Sequence, residues 1–306
     1  AETQAEVQAA EERFDTRIAE ALDALKASAA VVVKETIENK PAELVERMER
    51  VKAEEKKRTM EDEVRARLRG FSRTIPSFIM AYGDENMTLA NFDDYTDDDV
   101  FEEVTGISEA DFRFLRDGGT YLNPETGAKE HFAGHIFDEV VFNDSIAEFL
   151  KKKRELADYF DEGHTEDIFD YIPPQKTNQI FTPRRVVRQM VDALERENPG
   201  CYDDPTHTFA DLYMKSGLYI TEIVKRLYHS DKIKAEYPND AERIRHILQH
   251  QVYGMAPTRI IYLIATNYIL GFDEKMRLET KNFVQADAAQ AAKEGRLTEL
   301  VQKHFG

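Results

Sequence analysis

Cysteine is nearly missing: Cys201 is the only one among 306 residues. A disulfide framework is therefore excluded, and the composition fits a reducing, cytoplasmic setting. A secretory signal is missing as well. The longest apolar run, IIYLIATNYILGF, is shorter than the roughly 20 residues a membrane-crossing helix needs, so it reads as a buried helix with no membrane partner. No internal repeat and no low-complexity tract is visible. The chain lacks an initiator Met, opens at Ala1-Glu2 and stops just after the helix-like LTELVQKHFG. The expectation is a fragment of a longer protein.

Basic residues are also scarce relative to acidic ones, and the imbalance is local. The net charge is −18. Residues 171–306 hold 19 Lys and Arg against 17 Asp and Glu, a charge of +2, which leaves −20 on residues 1–170. A surface this acidic repels phosphate, so binding nucleic acid over the whole surface is excluded, while a local basic groove stays open. The length fits one large domain or two ordinary ones.

What is present in the first half is helical pattern. Phe14, Ile18, Leu22 and Leu25, then Leu44, Met48 and Val51, recur at helical spacing in a background of Ala, Glu, Lys and Arg. Pro41 suits the first turn of a second helix. Arg65, Arg67, Arg69 and Arg73 form a cluster for which surface ion pairing is the simpler reading beside phosphate contact. RGFSRTIPSFIMAYG reads as a buried helix and SIAEFLKKKRELADYF as an amphipathic one. Asp93, Asp94, Asp97, Asp98 and Asp99 lack the ligand rhythm and bend Gly of a calcium loop, so they read as helix caps and a solvated face. His131, His135 and Glu139 are spaced by four, yet HFAGHIFDE lacks the Glu that a metalloprotease helix places after its first His; a structural role is expected. Pro173-Pro174, in DEGHTEDIFDYIPPQKTN, marks a boundary.

From Thr177 the pattern changes. FTPRRVVRQMVDALERENPG predicts a helix with Thr182 as N-cap, Pro183 at the first position and Gly200 past the end. THTFADLYM, QVYGMA and NFVQAD read as strands. SGLYITEIVKRLYHS, NDAERIRHILQHQ (capped by Asn239) and the run opened by Pro257 read as helices between them. Alternating strands and helices predict a parallel, doubly wound α/β sheet. In such sheets ligands gather beyond the carboxyl ends of the strands. Here those ends are Asp211 to Gly217, Gly254-Met255-Ala256, and Asp287. A helix starting after Gly217 points free N–H groups and partial positive charge into the crevice, and Gly217 permits close approach of the backbone. Plain packing and capping roles compete at each position: helix capping at Thr182, Pro183 and Asp211, half-buried packing at Tyr213 and Tyr219, and close packing at Ala256. Lys215 has few packing reasons to stand in this turn.

NQIFTP followed by VVRQMVDAL resembles the opening motif of the N6-adenine DNA methyltransferases of restriction-modification systems. There a Phe/Tyr-Thr-Pro element precedes a helix and helps hold S-adenosylmethionine. DLYMKSGLY matches the strand end that, in that family, reads Asp-Pro-x-Cys-Gly-x-Gly. VYGMAPTRIIYLIATNYIL matches the second strand, and FVQAD the third, which ends in Asp near the adenine. The longer phrases RGFSRTIPSFIMAYG, DIFDYIPPQKTNQIFTP and DLYMKSGLYITEIVKRLY resemble the stretch joining helicase and methylase regions in large single-chain restriction enzymes. The resemblance implies an acidic α-helical spacer over residues 1–164 and an incomplete Rossmann-like methyltransferase domain over 165–306. It implies an upstream helicase region in the same chain and double-stranded DNA as the whole protein's partner.

Carried over residue by residue, the resemblance implies that Phe181, Thr182, Pro183, Asp211, Ser216, Gly217 and Asp287 line the cofactor site, with Lys215 on the cofactor's carboxylate. Arg184, Arg185 and Arg188, on one helix, are the expected phosphate contacts. The chain departs from the family pattern at three places. Leu212 replaces Pro, and Lys215 stands at the first Gly, where it repels a sulfonium. Ala256 occupies the acidic ribose position, a loss of about 2–3 kcal/mol on charge-assisted hydrogen-bond magnitudes. The catalytic Asn/Asp-Pro-Pro-Tyr/Phe motif is absent and is expected beyond Gly306. Two readings follow: the cofactor-binding half of a DNA adenine methylase, and a degenerate, non-catalytic methylase-like module serving as spacer and docking or DNA-recognition element for the helicase.

Overall fold

The computed structural model describes residues 68–306 apart from 124–125, 174–179 and 273–277, together with scattered positions before residue 68. The chain divides into two compact units, Ala1–Ala66 and Arg67–Gly306. In the first, the described positions 16–17, 19–23, 26, 50–52 and 66 are helical, and Val51 is exposed. Most of the apolar positions read from the sequence there, from Phe14 to Met48, lie outside the described residues, as do Arg65, Arg67 and Pro174.

The second unit begins with a helix over 68–82 (α1). Phe71, Thr74, Phe78 and Ile79 recur on one face and are all buried, the spacing an amphipathic helix requires. A 3-10 turn, Leu89–Tyr95, leads to α2 (Asp98–Thr105) and α3 (Glu109–Asp117). Ser108 caps α3 by accepting from the Asp111 N–H, and Gly106 ends α2 in the left-handed region. A hairpin follows, β1 (Gly119–Leu122) antiparallel to β2 (Lys129–Phe132). The sequence reading passed over this hairpin. Helix α4 (Glu139–Leu156) is capped by Asp138, whose carboxylate accepts from the Val141 N–H. Phe71, Phe78, Phe92, Phe101, Phe112 and Phe142 meet in one aromatic core; Phe92 alone lies 4.5 Å from Phe78 and 5.3 Å from Phe142, ring centre to ring centre.

One acidic residue departs from the expected solvated face. Asp93 is 2% exposed, and its two carboxylate oxygens receive Arg113 and Arg116, each at 2.5 Å. A carboxylate is retained at such depth only when paired. Asp94, Asp97, Asp98 and Asp99 are exposed as expected. His131 lies on β2 and His135 in the loop after it, so the two do not share a helix face.

The chain then passes a 3-10 turn, Ile168–Tyr171, and enters α5 (Arg184–Glu197). A three-stranded parallel sheet, ordered β3 (Phe209–Asp211), β4 (Val252–Ala256), β5 (Phe283–Gln285), follows. Between β3 and β4 run α6 (Leu218–His229), α7 (Asp231–Glu236) and α8 (Asp240–His246) with a π turn, Ile247–Gln251. Asn239 caps α8, accepting from Ala241 and Glu242. Helix α9 (Arg259–Leu270) joins β4 to β5, and α10 (Ala288–Lys293) and α11 (Leu297–Phe305) close the chain. The fold is thus mixed α/β with a dominant helical part. The three strands follow one another in sequence order, with no reversal among the described strands, so a doubly wound switch point is not formed here. The expected division at 164/165 falls inside this unit. Across it Tyr159 Oη donates to the Ile269 carbonyl at 3.3 Å, and the Asn267 amide donates to the Met80 and Ala81 carbonyls at 3.0 Å.

Candidate ligand cleft

Asp211 ends β3 and is half-buried. One carboxylate oxygen accepts from the Tyr213 N–H at 3.0 Å, folding the side chain over its own turn. This is the Asx-turn chemistry that Asp favours. Burial holds this carboxyl above the usual carboxylate range, and the Tyr213 hydrogen bond offsets that only in part. Met214 then donates its N–H to the Met255 carbonyl at 2.8 Å, which keeps the turn against the end of β4. Gly254 leaves the room for this: a Cβ there would lie 2.7 Å from Met214 Sδ.

Ser216 accepts from the Leu218 N–H at 3.2 Å and so takes one of the unpaired donors that open α6. Gly217 has φ +84, and a Cβ there would stand 3.0 Å from Ile269 and 3.1 Å from the Ala265 carbonyl. Its missing Cβ lets α6 start close against α9, and Gly217 also lines a cleft. Lys215 is half-buried, with Nζ 5.7 Å from the centre of the Tyr213 ring; among the described residues no carboxylate pairs with it.

These residues line a cleft of about 490 Å³ with Thr182 and Met190, near Tyr213 and Tyr219. Thr182 reaches it because α5 starts one position later than expected. Pro183, with ψ 141, is the N-cap and Arg184 the first helical residue, so the Thr182 hydroxyl caps nothing. The structure therefore gathers Thr182, Asp211, Lys215, Ser216 and Gly217 from two separated segments of chain. It does not bring in the other three. Phe181 packs on Phe169, 5.0 Å between ring centres; Pro183 is exposed; Asp287 accepts from the Gln290 N–H as cap of α10. Met190 went unnoticed in the sequence. It lies one turn beyond buried Val187 on the apolar stripe of α5, is 47% exposed, and lines the cleft. Tyr219, half-buried in the cleft wall, has its hydroxyl pKa raised by burial and then by the charge of Asp211.

Ala256 is fully buried at the end of β4 and lies away from the cleft wall. The acidic substitution that the family pattern invites would bury a charge there. Of the three arginines, Arg184 donates to the Tyr159 carbonyl at 3.3 Å, and Arg188 lies 3.2 Å from Glu162 and 3.6 Å from Glu222. Arg185 is exposed. Glu222 and Lys225, both buried, pair at 3.0 Å beside them. Two of the expected phosphate contacts are thus already engaged within the chain. No group of three or more metal-ligating side chains occurs among the described residues, and no described helix is long and apolar enough to cross a membrane.

No protein-family model and no curated protein sequence matches this chain. Among solved structures, an ATP-dependent Type ISP restriction-modification enzyme, LlaBIII, bound to DNA, is similar at 12% identity with a TM-score of 0.35, over 73% of this chain and 14% of that one. This chain spans a small part of that enzyme's length, and a likeness at this score does not establish a shared fold.

Proposed function

We propose that residues 165–306 form the cofactor-binding half of an N6-adenine DNA methyltransferase-like domain of Rossmann type, within a restriction-modification enzyme acting on double-stranded DNA. The observation that carries this is the convergence of Thr182 with Asp211, Lys215, Ser216 and Gly217 on one cleft at the carboxyl end of a parallel strand. That is where parallel α/β sheets bind ligands. Lys215 offers a cation to the carboxylate of S-adenosylmethionine, the remaining α6 N–H groups favour the same negative charge, and the tyrosine walls suit an adenosyl ring. The group supplies an activated methyl when bound. Nothing in this chain is assigned to its transfer, and of the three arginines expected to meet DNA phosphate, Arg185 is the exposed one that pairs with no carboxylate among the described residues.

Buried Ala256 favours the second reading, a degenerate module that docks or spaces a helicase without methylating. With no carboxylate for the ribose hydroxyls, binding is expected to be weak. Calorimetry with S-adenosylmethionine at millimolar concentration separates the two. Met190→Arg fills the cleft from an exposed position and leaves the fold intact. Saturable binding abolished by this variant and weakened by Lys215→Ala supports the cofactor reading. No heat of binding, or binding indifferent to Met190→Arg, leaves the degenerate module.

A further inference from the structure

Thr182 lies in the cleft wall without capping α5, and the chain on both sides of it is gripped by one short element. That element is the 3-10 turn Ile168–Tyr171 with its cap, Asp167. Just before Thr182, the Phe181 ring packs on Phe169, 5.0 Å between centres. Just after it, Arg184 begins α5 with its Nε 4.0 Å from Asp167 Oδ2. The same guanidinium donates through Nη2 to the Tyr159 carbonyl at 3.3 Å, so it is held from two sides.

Asp167 differs from the acidic residues around it. Asp161, Glu162, Glu166 and Asp170 are exposed, whereas Asp167 is only 4% exposed. Its Oδ1 accepts from the Phe169 N–H at 3.0 Å, and its own N–H donates to the Asp170 carboxylate at 2.9 Å, so the turn is braced at both ends. Its Oδ2 is buried with no hydrogen-bond partner, and the cation that faces it is Arg184. Burial raises the pKa of this carboxyl, while the Phe169 N–H and then Arg184 oppose the rise. Capping needs one oxygen and no charge, and Ser or Asn caps as well as Asp. A buried charge is costly unless it is answered. The second oxygen and the charge therefore have a task that the cap does not supply, which is to hold the guanidinium at the head of α5.

We propose that Asp167 is a positioning residue for the ligand cleft: acting through Arg184, and with Phe169 gripping Phe181, it fixes the entry into α5 so that Thr182 stays in the cleft wall. Helix α5 carries Met190 into the same wall, so a slip at its first residue moves both contacts. The effect on cofactor affinity rests on the function proposed above. The clamp itself is a property of the chain without ligand, and the two are measured separately.

The test uses the full chain. Asp167→Asn keeps the Phe169 cap, since an amide oxygen accepts the same hydrogen bond, and removes only the charge. Arg184→Gln breaks the pair from the other side, so the test survives if either variant fails to fold. Thr182→Cys, at an exposed position, takes a nitroxide label, because the sole native thiol, at Cys201, is buried. Without ligand, electron paramagnetic resonance is expected to show a restricted label in the parent chain and a mobile one beside Asp167→Asn or Arg184→Gln. A label equally restricted in all three overturns the proposal. In calorimetry with S-adenosylmethionine, Asp167→Asn is expected to raise Kd about tenfold in the Thr182 chain but less than about twofold in a Thr182→Ala chain. Equal losses in both chains also overturn it, because a general loosening does not depend on Thr182. A wild type that binds no S-adenosylmethionine removes the cofactor reading, and the label then decides the clamp alone.

Discussion

Between residues 68 and 156 a buried carboxylate, Asp93, is answered by two arginines, and six phenylalanine rings fill the space around it. Between residues 181 and 306 the arrangement is reversed. The strand ends are packed through glycine and alanine, Gly217 and Gly254 let helix and turn close on each other, and Lys215, paired with no carboxylate among the described residues, stands on the wall of a cleft. The first region buries one carboxylate against two arginines and leaves most of its other acidic residues at the surface, beside an apolar groove. The second sets Lys215, Thr182 and Ser216 on the wall of one cleft. The difference teaches where to look for chemistry: at the strand ends, not among the far more numerous acidic residues of the helical region.

Three experiments sharpen or break this comparison. The largest effect is expected from Phe92→Ala. Phe92 is fully buried and packs against the rings of five other phenylalanines, Phe71, Phe78, Phe101, Phe112 and Phe142, so truncation costs ~3–5 kcal/mol. Urea unfolding followed by circular dichroism measures it. One cooperative transition, shifted as a whole, is expected because the Asn267 amide donates to the Met80 and Ala81 carbonyls and the Lys153 ammonium lies over the Phe272 ring, tying the two regions together. Two transitions, with only the first moved, would separate the regions into independent domains near residue 164.

Next is the pH dependence carried by Lys153. This residue is buried and donates to the Ile79 and Gly83 carbonyls at 3.3 and 2.9 Å, with its ammonium over the Phe272 ring. Burial lowers its pKa from 10.5 to about 8. A depressed cation means that the folded chain binds fewer protons than the unfolded chain between those values, so stability rises with pH from about 8 to 10.5. Lys153→Met is expected to remove that rise, worth about 3 kcal/mol at most, and to be neutral or stabilising at pH 7. A wild-type stability that stays flat or falls over that range, relative to the variant, contradicts the burial of a charged Lys153.

The smallest effect compares two glycines of like backbone. Gly106 has φ +77 with open space around it, whereas Gly217 has φ +84 with α9 at 3.0 Å from a built Cβ. Both alanine substitutions pay the left-handed strain of ~1–2 kcal/mol. Gly217→Ala is expected to cost measurably more, the excess reporting the packing of α6 on α9. Equal losses would mean that the strand-end region is no tighter there than the loop after α2.

Much of this was readable one residue at a time. The helices over 68–82, Glu139–Leu156 and Arg184–Glu197 follow from apolar periodicity, and the Asn239 cap from residue chemistry. The strands at Phe209, Val252 and Phe283 follow from β-branched and aromatic runs between turn residues. The turn from Asp211 to Gly217 was likewise marked by its charge, its Ser-Gly pair and its place at a strand end. The hairpin Gly119–Phe132 was not, because its strands are four residues each, too short for alternation to stand out.

By itself the sequence determined most of the stretches that coil, the three strands of the parallel sheet, and that the acidic half does not bind nucleic acid over its whole surface. These are local matters of backbone preference, capping and summed charge. Only the tertiary structure decided that Asp93 is buried between Arg113 and Arg116, that Arg188 is taken by Glu162 and Glu222, that Ala256 is sealed in the core, and that Met190 joins Lys215 in one cleft. A charge's partner and a side chain's depth depend on residues tens of positions away, brought close only when the helices and the sheet pack.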